Sequence, residues 1–230
     1  MILDASSTIL ITGANRGIGL EFVRQFAEIG CKIIACCRNS SSTDAVQALD
    51  VAVEIEQLDV ASSNSIESLG DRLSGRAIDL VINNAAVRGH IGGLTDIDPD
   101  DFLATMKVNV LAPLLLTRAL MPALGLGRGR TVAMISSRAG SITEGHDDDG
   151  DYAYRCSKSA LNMATAKLAY EFRALTFVSL HPGWVKTDMG GPYAELPVSK
   201  SVAGMIRVLS TLSPLDSGAF LANDGSTIAW

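Results

Sequence analysis

The sequence predicts an α/β fold: one doubly wound parallel sheet with helices on both faces. Three observations predict it. Short, β-branched apolar runs alternate with helical patterns along the chain. Those runs are nearly continuous in apolar residues, as strands covered on both faces require. The first run passes through a glycine-rich turn directly into the first helical pattern. A βαβα order with right-handed crossovers then gives a Rossmann-like arrangement, with ligands expected beyond the C-terminal strand ends.

The strand-like runs are 8–12, 32–37, 53–58, 79–83, 130–136 and 176–181. Helical patterns cover 18–29, 62–73, 99–124, 152–174 and 199–212, and Phe220-Leu221 begins an edge strand. No repeat, linker or low-complexity tract interrupts them, so 1–230 reads as a single domain. At 230 residues and 47% hydrophobic, the chain can bury one large core and is not globally disordered. The net charge is −6 and no basic cluster tracks a phosphate backbone, so no nucleic-acid partner is expected. The N-terminus lacks a basic segment ahead of an apolar one. The longest apolar run, 108–117, is short for a bilayer and contains Pro113, so no membrane partner is expected. The chain reads as soluble and cytoplasmic. Its cysteines, Cys31, Cys36, Cys37 and Cys156, match no zinc spacing. Cys36 and Cys37, adjacent on a strand, are expected on opposite faces as small buried hydrophobes.

The first strand-to-helix turn reads Thr12-Gly13-Ala14-Asn15-Arg16-Gly17-Ile18-Gly19. Glycines there permit a tight bend, let backbone approach a pyrophosphate, and let the helix pack close to the sheet. The helix N-terminus then turns free N–H groups and its positive dipole end toward phosphates. Such a turn alone also suits a purely structural bend. Its place at the head of a βαβ chain favours dinucleotide binding by Gly13, Asn15, Arg16, Gly17, Ile18 and Gly19. The second strand ends Cys36-Cys37-Arg38-Asn39. An NAD site usually carries an acid near this point for the ribose 2′-hydroxyl. Arg38 stands there instead, and with Arg16 it suits a 2′-phosphate; the alternative is two solvated surface arginines. NADP(H) is therefore the preferred cofactor and NAD(H) the alternative. Asp59 and Val60, at the third strand end, are expected beside the adenine. Asn84 and Ala85, at the fourth, are expected along the cofactor.

Tyr154 and Lys158 stand four apart near the start of a helical pattern and so share a helix face. A free phenol titrates near ~10 and is a poor acid at neutral pH. A close cation is expected to lower that value and make the phenol a usable proton donor. The spacing also arises by chance, so it needs support from elsewhere in the chain. Ser136-Ser137 close the fifth strand, where a hydroxyl can donate to a substrate carbonyl oxygen. Asn109 lies four residues before Pro113, which has no N–H. A proline kink is expected to free the Asn109 main-chain carbonyl, which would lead protons through a water toward Lys158. After the sixth strand comes His181-Pro182-Gly183-Trp184-Val185-Lys186-Thr187. Pro182, Gly183, Val185 and Thr187 are expected at the nicotinamide end of the cofactor, while Trp184 either packs structurally or lines the site. Segment 188–198 is the natural lid. The acidic segment 145–151 does not have the spacing of an EF-hand and reads as a solvated loop.

The set Thr12 to Gly19, Asn83-Asn84-Ala85, Asn109, Ser137 and Tyr154-x-x-x-Lys158 resembles the short-chain dehydrogenase/reductase family in order and interval, over nearly the full chain. Within the family it resembles the C-factor and Sniffer-type carbonyl reductases, through 13–25, 152–162, 181–192 and 216–230. The resemblance implies that Tyr154 is the general acid/base and that Lys158 binds the nicotinamide ribose and lowers the Tyr154 pKa. It implies that Ser137 holds the substrate carbonyl and Asn109 completes a proton relay. Ser137 is chosen over Ser136 because the family's serine sits three residues before the glycine, here Gly140. Two departures stand out: Ala86 where the family usually has glycine, expected to tighten the backbone near the cofactor, and the acidic insert. The expected function is NADPH-dependent reduction of an aldehyde, ketone or quinone to an alcohol. The rival is an NAD(P)H-binding signalling protein of C-factor type with little or no turnover. An epimerase or dehydratase is disfavoured, since 230 residues leave little room for a separate substrate domain. Family members are often dimers or tetramers through their long helices, so a homodimer or homotetramer is an expectation of the resemblance alone.

Overall fold

The computed structural model describes residues 3–39, 43–49, 51–145 and 150–230. Seven strands, β1 (Thr8–Thr12), β2 (Lys32–Cys37), β3 (Val53–Gln57), β4 (Leu80–Asn83), β5 (Thr131–Ile135), β6 (Thr176–His181) and β7 (Ala219–Ala222), form one sheet. Their order is β3-β2-β1-β4-β5-β6-β7, and every neighbouring pair is parallel. The order reverses beside β1, between β2 on one flank and β4 on the other, and the crevice beyond that point is where such sheets take ligands.

Helices α1 (Gly17–Ile29), α2 (Asp44–Gln47), α3 (Ser63–Arg72), α4 (Pro99–Met106), α5 (Ala112–Leu126), α6 (Tyr152–Glu171) and α7 (Val198–Thr211) cover the two faces. Strand residues alternate between them. Ile9 and Ile11 pack with Phe22 and Phe26 of α1 and Met205 and Leu209 of α7. Leu10 and Val81 pack with Leu69 of α3, Leu116 and Leu120 of α5 and Leu161 of α6. Cys37 falls in the first cluster and Cys36 in the second, as neighbours on one strand must.

One expectation changes. The helix expected over 99–124 is not one proline-kinked helix. A π turn, Lys107–Leu111, joins α4 to α5, and the Ala112 N–H reaches back to the Lys107 carbonyl. Pro113 cannot donate to the Asn109 carbonyl, and the missing donor falls at this wider turn. The short helix α2 is too short to leave a periodic signal in the sequence. By length and composition alone, Pro99–Leu126 is apolar enough to cross a bilayer. Its Ala112, Leu116, Leu120 and Leu124 instead lie in the sheet's core, as in a core helix of a soluble protein.

Candidate active site

The candidate phosphate site, the first strand-to-helix turn, is held together by main chain and neutral side chains. Gly13 and Gly17 hold φ of +63° and +52°, the left-handed region that glycine enters without strain. Gly19 is needed for closeness: a Cβ there would lie 2.1 Å from the Gly13 carbonyl oxygen. Arg16 caps α1 in an extended conformation with no side-chain cap bond. The first N–H groups of a long helix are thus aimed at the crevice, as a phosphate requires. Thr12 Oγ1 accepts from the N–H groups of Asn84 and Ala85, both at 3.0 Å. Asn84 Nδ2 donates to the carbonyls of Thr12 at 2.9 Å and Gly13 at 3.2 Å. Asn84 and Ala85 are thereby locked to the turn. Ala86 keeps a negative φ, so replacing the usual glycine strains nothing at that position.

Arg38 stands exposed at the end of β2. Arg16 is exposed as well and pairs with Asp188 at 3.0 Å, the two side chains being 71% and 84% accessible. Asp59 and Val60 follow β3, with Asp59 Oδ1 accepting the Ala61 N–H at 2.9 Å. Past β6, Gly183 takes a φ of +87° and Val185 is buried. Thr187 faces the phosphate turn so closely that a Cβ on Gly17 would touch its methyl at 3.4 Å. Trp184 lies at the surface, its indole N–H donating to Gly190 O at 2.8 Å, which ties the start of the 188–198 segment to the turn after β6.

The other end is built of buried polar groups. Tyr154 and Lys158 lie one turn apart on α6, with Lys158 Nζ 5.5 Å from the phenol ring centroid. Lys158 is 2% exposed, and its ammonium donates to Ile135 O at the end of β5, 2.8 Å away. Burial pushes the Lys158 pKa down to about 8. The Tyr154 phenol corrects an expectation: its pKa is raised, not lowered. Burial is the largest cause, opposed first by a hydrogen bond with Ser137 and then by Arg88. Lys158 sits by the ring and gives its hydrogen bond to a strand carbonyl, so desolvation of the phenol prevails. Ser137 closes the site from β5, its hydroxyl also accepting from the Ala139 N–H at 3.2 Å. Behind it the turn presses on α6 at Gly140, where a Cβ would lie 2.6 Å from the Lys158 carbonyl carbon. Ser136 points elsewhere, donating to Asn162 Oδ1 at 2.6 Å.

Asn109 is buried in the π turn. Its amide clasps the main chain of Val87, accepting from N–H at 2.9 Å and donating to O at 2.8 Å. The same Nδ2 donates to Ser157 Oγ at 3.0 Å, and Ser157 donates to Tyr154 O at 2.7 Å. Asn109 thus joins the segment after β4 to the main chain of the Tyr154 turn. This role of the side chain was not foreseen; the expectation concerned its carbonyl.

The family model for short chain dehydrogenases matches residues 7–196. The chain belongs to the short-chain dehydrogenase family. It is similar to the C-signal of Myxococcus xanthus, 46% identical over 155 residues, which are 66% of this chain and 93% of that protein. It is similar to the 1-hydroxy-2-glutathionyl-2-methyl-3-butene dehydrogenase of a Rhodococcus species, 32% identical over 97% of this chain and 100% of the relative. Among solved structures, the carbonyl reductase Sniffer of D. melanogaster superposes with a TM-score of 0.90 at 32% identity, covering 100% of each chain. The NADPH-bound carbonyl reductase from chicken fatty liver gives 0.89 at 36% identity, covering 100% of this chain and 99% of the other.

On this short-chain dehydrogenase framework, other residues crowd the site that motif reading passed over. Asp151, the last acid of the 145–151 segment, is not solvated: it is buried at the head of α6. Its carboxylate pairs with Arg155 at 2.6 Å and with Arg88 at 3.2 Å, clamping the Tyr154 turn to the segment after β4. Arg155 also donates to Gly145 O. The i,i+4 spacing of Asp151 and Arg155 was a readable signal; the long-range partner Arg88 was not. Residues 146–149 of the same segment lie outside the described residues. His181, at the end of β6, is the other unforeseen neighbour, accepting at Nδ1 from the N–H of Arg138.

Proposed function

We propose that the chain is an NADPH-dependent carbonyl reductase, and that the observation carrying this is the buried Lys158 ammonium 5.5 Å from the centre of the Tyr154 phenol ring, at the strand end that bears Ser137. The close-packed Gly13-to-Gly19 turn and the open N-terminus of α1 fit a pyrophosphate, and Arg16 and Arg38 fit a 2′-phosphate. Lys158 and the Pro182-to-Thr187 turn would hold the nicotinamide riboside. The cofactor, when bound, supplies the hydride. Ser137 then orients the carbonyl oxygen of an aldehyde, ketone or quinone. Tyr154 Oη donates its proton to that oxygen, and the raised phenol pKa keeps this proton in place at neutral pH. Alcohol oxidation uses the same groups in reverse.

The test is NADPH oxidation against a panel of aldehydes, quinones and ketones, with Tyr154→Phe as control. The variant is expected to lose about 10²–10⁴-fold in turnover while its NADPH affinity stays unchanged. Near-normal turnover would end the mechanism. The similarity to the C-signal favours one second reading, an NADPH-binding signalling protein. Tight NADPH binding with no turnover of any carbonyl would select it.

A further inference from the structure

His181 is the last residue of β6 and immediately precedes the Pro182-Gly183 turn. Regular pairing between β5 and β6 ends with the Ser136 N–H on Leu180 O at 2.8 Å. The imidazole carries the connection one step further: the main-chain N–H of Arg138 donates to His181 Nδ1 at 3.2 Å. Arg138 directly follows Ser137. The ring therefore ties together the two strand ends flanking the proposed carbonyl position, one bearing the serine hydroxyl and the other the turn assigned to the nicotinamide. An Nδ1 that accepts must be unprotonated, so the ring is the neutral Nε2–H tautomer. Burial, then the nearby Arg138, pushes its pKa down to about 4; Asp224 and Glu144 pull the other way. The acceptor is therefore available throughout the neutral range.

We propose that His181 is a positioning residue, whose Nδ1 holds the Arg138 amide and so fixes the Ser137 hydroxyl against the 182–183 turn. The consequence for turnover rests on the carbonyl reductase reading; the hydrogen bond does not. The Ser137 turn is a single short one, closed by the Gly140 N–H on Ser137 O at 2.9 Å. Its placement therefore depends on anchors such as this, and displacement of a catalytic group by about 1 Å can cost on the order of 10²-fold in rate.

The experiment compares His181→Phe, which keeps a flat ring and loses the acceptor, with His181→Asn, whose Oδ1 lies one bond beyond Cγ as Nδ1 does. Hydrogen exchange at the Arg138 amide is followed by NMR on the ¹⁵N-labelled chain. Separately, kcat and KM for the carbonyl are measured at saturating NADPH. In the Phe variant, Arg138 protection is expected to fall by about tenfold or more, as loss of one hydrogen bond implies. Its kcat is expected to fall roughly 10- to 100-fold with NADPH affinity unchanged. The Asn variant is expected to restore both to within a few-fold. Unchanged Arg138 protection in the Phe variant overturns the contact. Lost protection with unchanged kcat overturns the positioning role, and so does an Asn variant as impaired as Phe, since that signals a packing defect. A wild-type chain that reduces no carbonyl defeats the reductase reading instead, and the Arg138 amide still decides what His181 holds.

Discussion

At the phosphate turn, Thr12 and Asn84 knit β1 to β4 through neutral hydrogen bonds, and Gly19 lets the helix start against Gly13. Around Tyr154 the joining groups are ionisable: Lys158 buried against Ile135 O, Asp151 clamped by Arg88 and Arg155, and a neutral His181. The first region is limited by volume and is already at ease with its surroundings. The second keeps a cation out of water with one main-chain acceptor in view, a state that burial disfavours. Shape therefore governs the glycine turn, and electrostatics governs the surroundings of Tyr154.

That contrast breaks most visibly at Gly19. Gly19→Ala would set a Cβ 2.1 Å from a main-chain oxygen, which has no side-chain freedom with which to yield. The turn has to open. The variant is expected to lose detectable NADPH binding and about 3 kcal/mol or more of stability, as severe clashes in packed regions do. Titration of NADPH fluorescence and a urea melt check both, and a variant that binds normally would show that this turn is not the phosphate cradle.

Lys158→Met should move stability the other way. A folded-state pKa of about 8 against an ordinary 10.5 means that the fold disfavours the ammonium. The penalty is roughly 3 kcal/mol, an order-of-magnitude figure. It is fully present below pH 8, where both folded and unfolded chains hold the proton. It is relieved as pH rises from about 8 toward 10.5, where only the unfolded chain keeps it. The Met variant is expected to be about 1–3 kcal/mol more stable than wild type at pH 7, with the gap closing toward pH 10, while turnover drops by about 10² or more. Equal stability at both pH values would mean that the ammonium is better solvated than its burial indicates.

The same contrast explains what could be read from the chain alone. Strand periodicity, the glycine turn and the Tyr154-to-Lys158 spacing are local signals: the strands form where the apolar runs lie, and Tyr154 and Lys158 share one face of α6. Burial is not local. A Tyr-x-x-x-Lys pair says that a cation is near a phenol, but desolvation from β5, the Ser137 turn and α6 decides the sign of the shift. Asp151 looks solvated in a run of acids because its partner Arg88 comes from a distant loop. Pro113 announces that a donor is missing, yet a kink and a π turn satisfy that signal equally, and only the packing of Asn109 against Val87 and Ser157 separates them.

The smallest expected effects lie at the exposed rim of the phosphate end, where both arginines remain in water. Arg38→Ala is expected to weaken NADPH binding by about 10- to 100-fold and to leave NADH binding and the melting temperature unchanged. Asp188→Ala removes the partner that competes for Arg16. Because that ion pair is mostly solvent-exposed, it contributes about 0–1 kcal/mol, so the change should be at most a few-fold gain in NADPH affinity. The gain should fade in high salt, as screened surface charges do. Fluorescence titrations with both cofactors at low and high salt measure it. An equal loss for NADH and NADPH on removing Arg38 would make the arginines ordinary surface charges and remove the reason to prefer the phosphorylated cofactor.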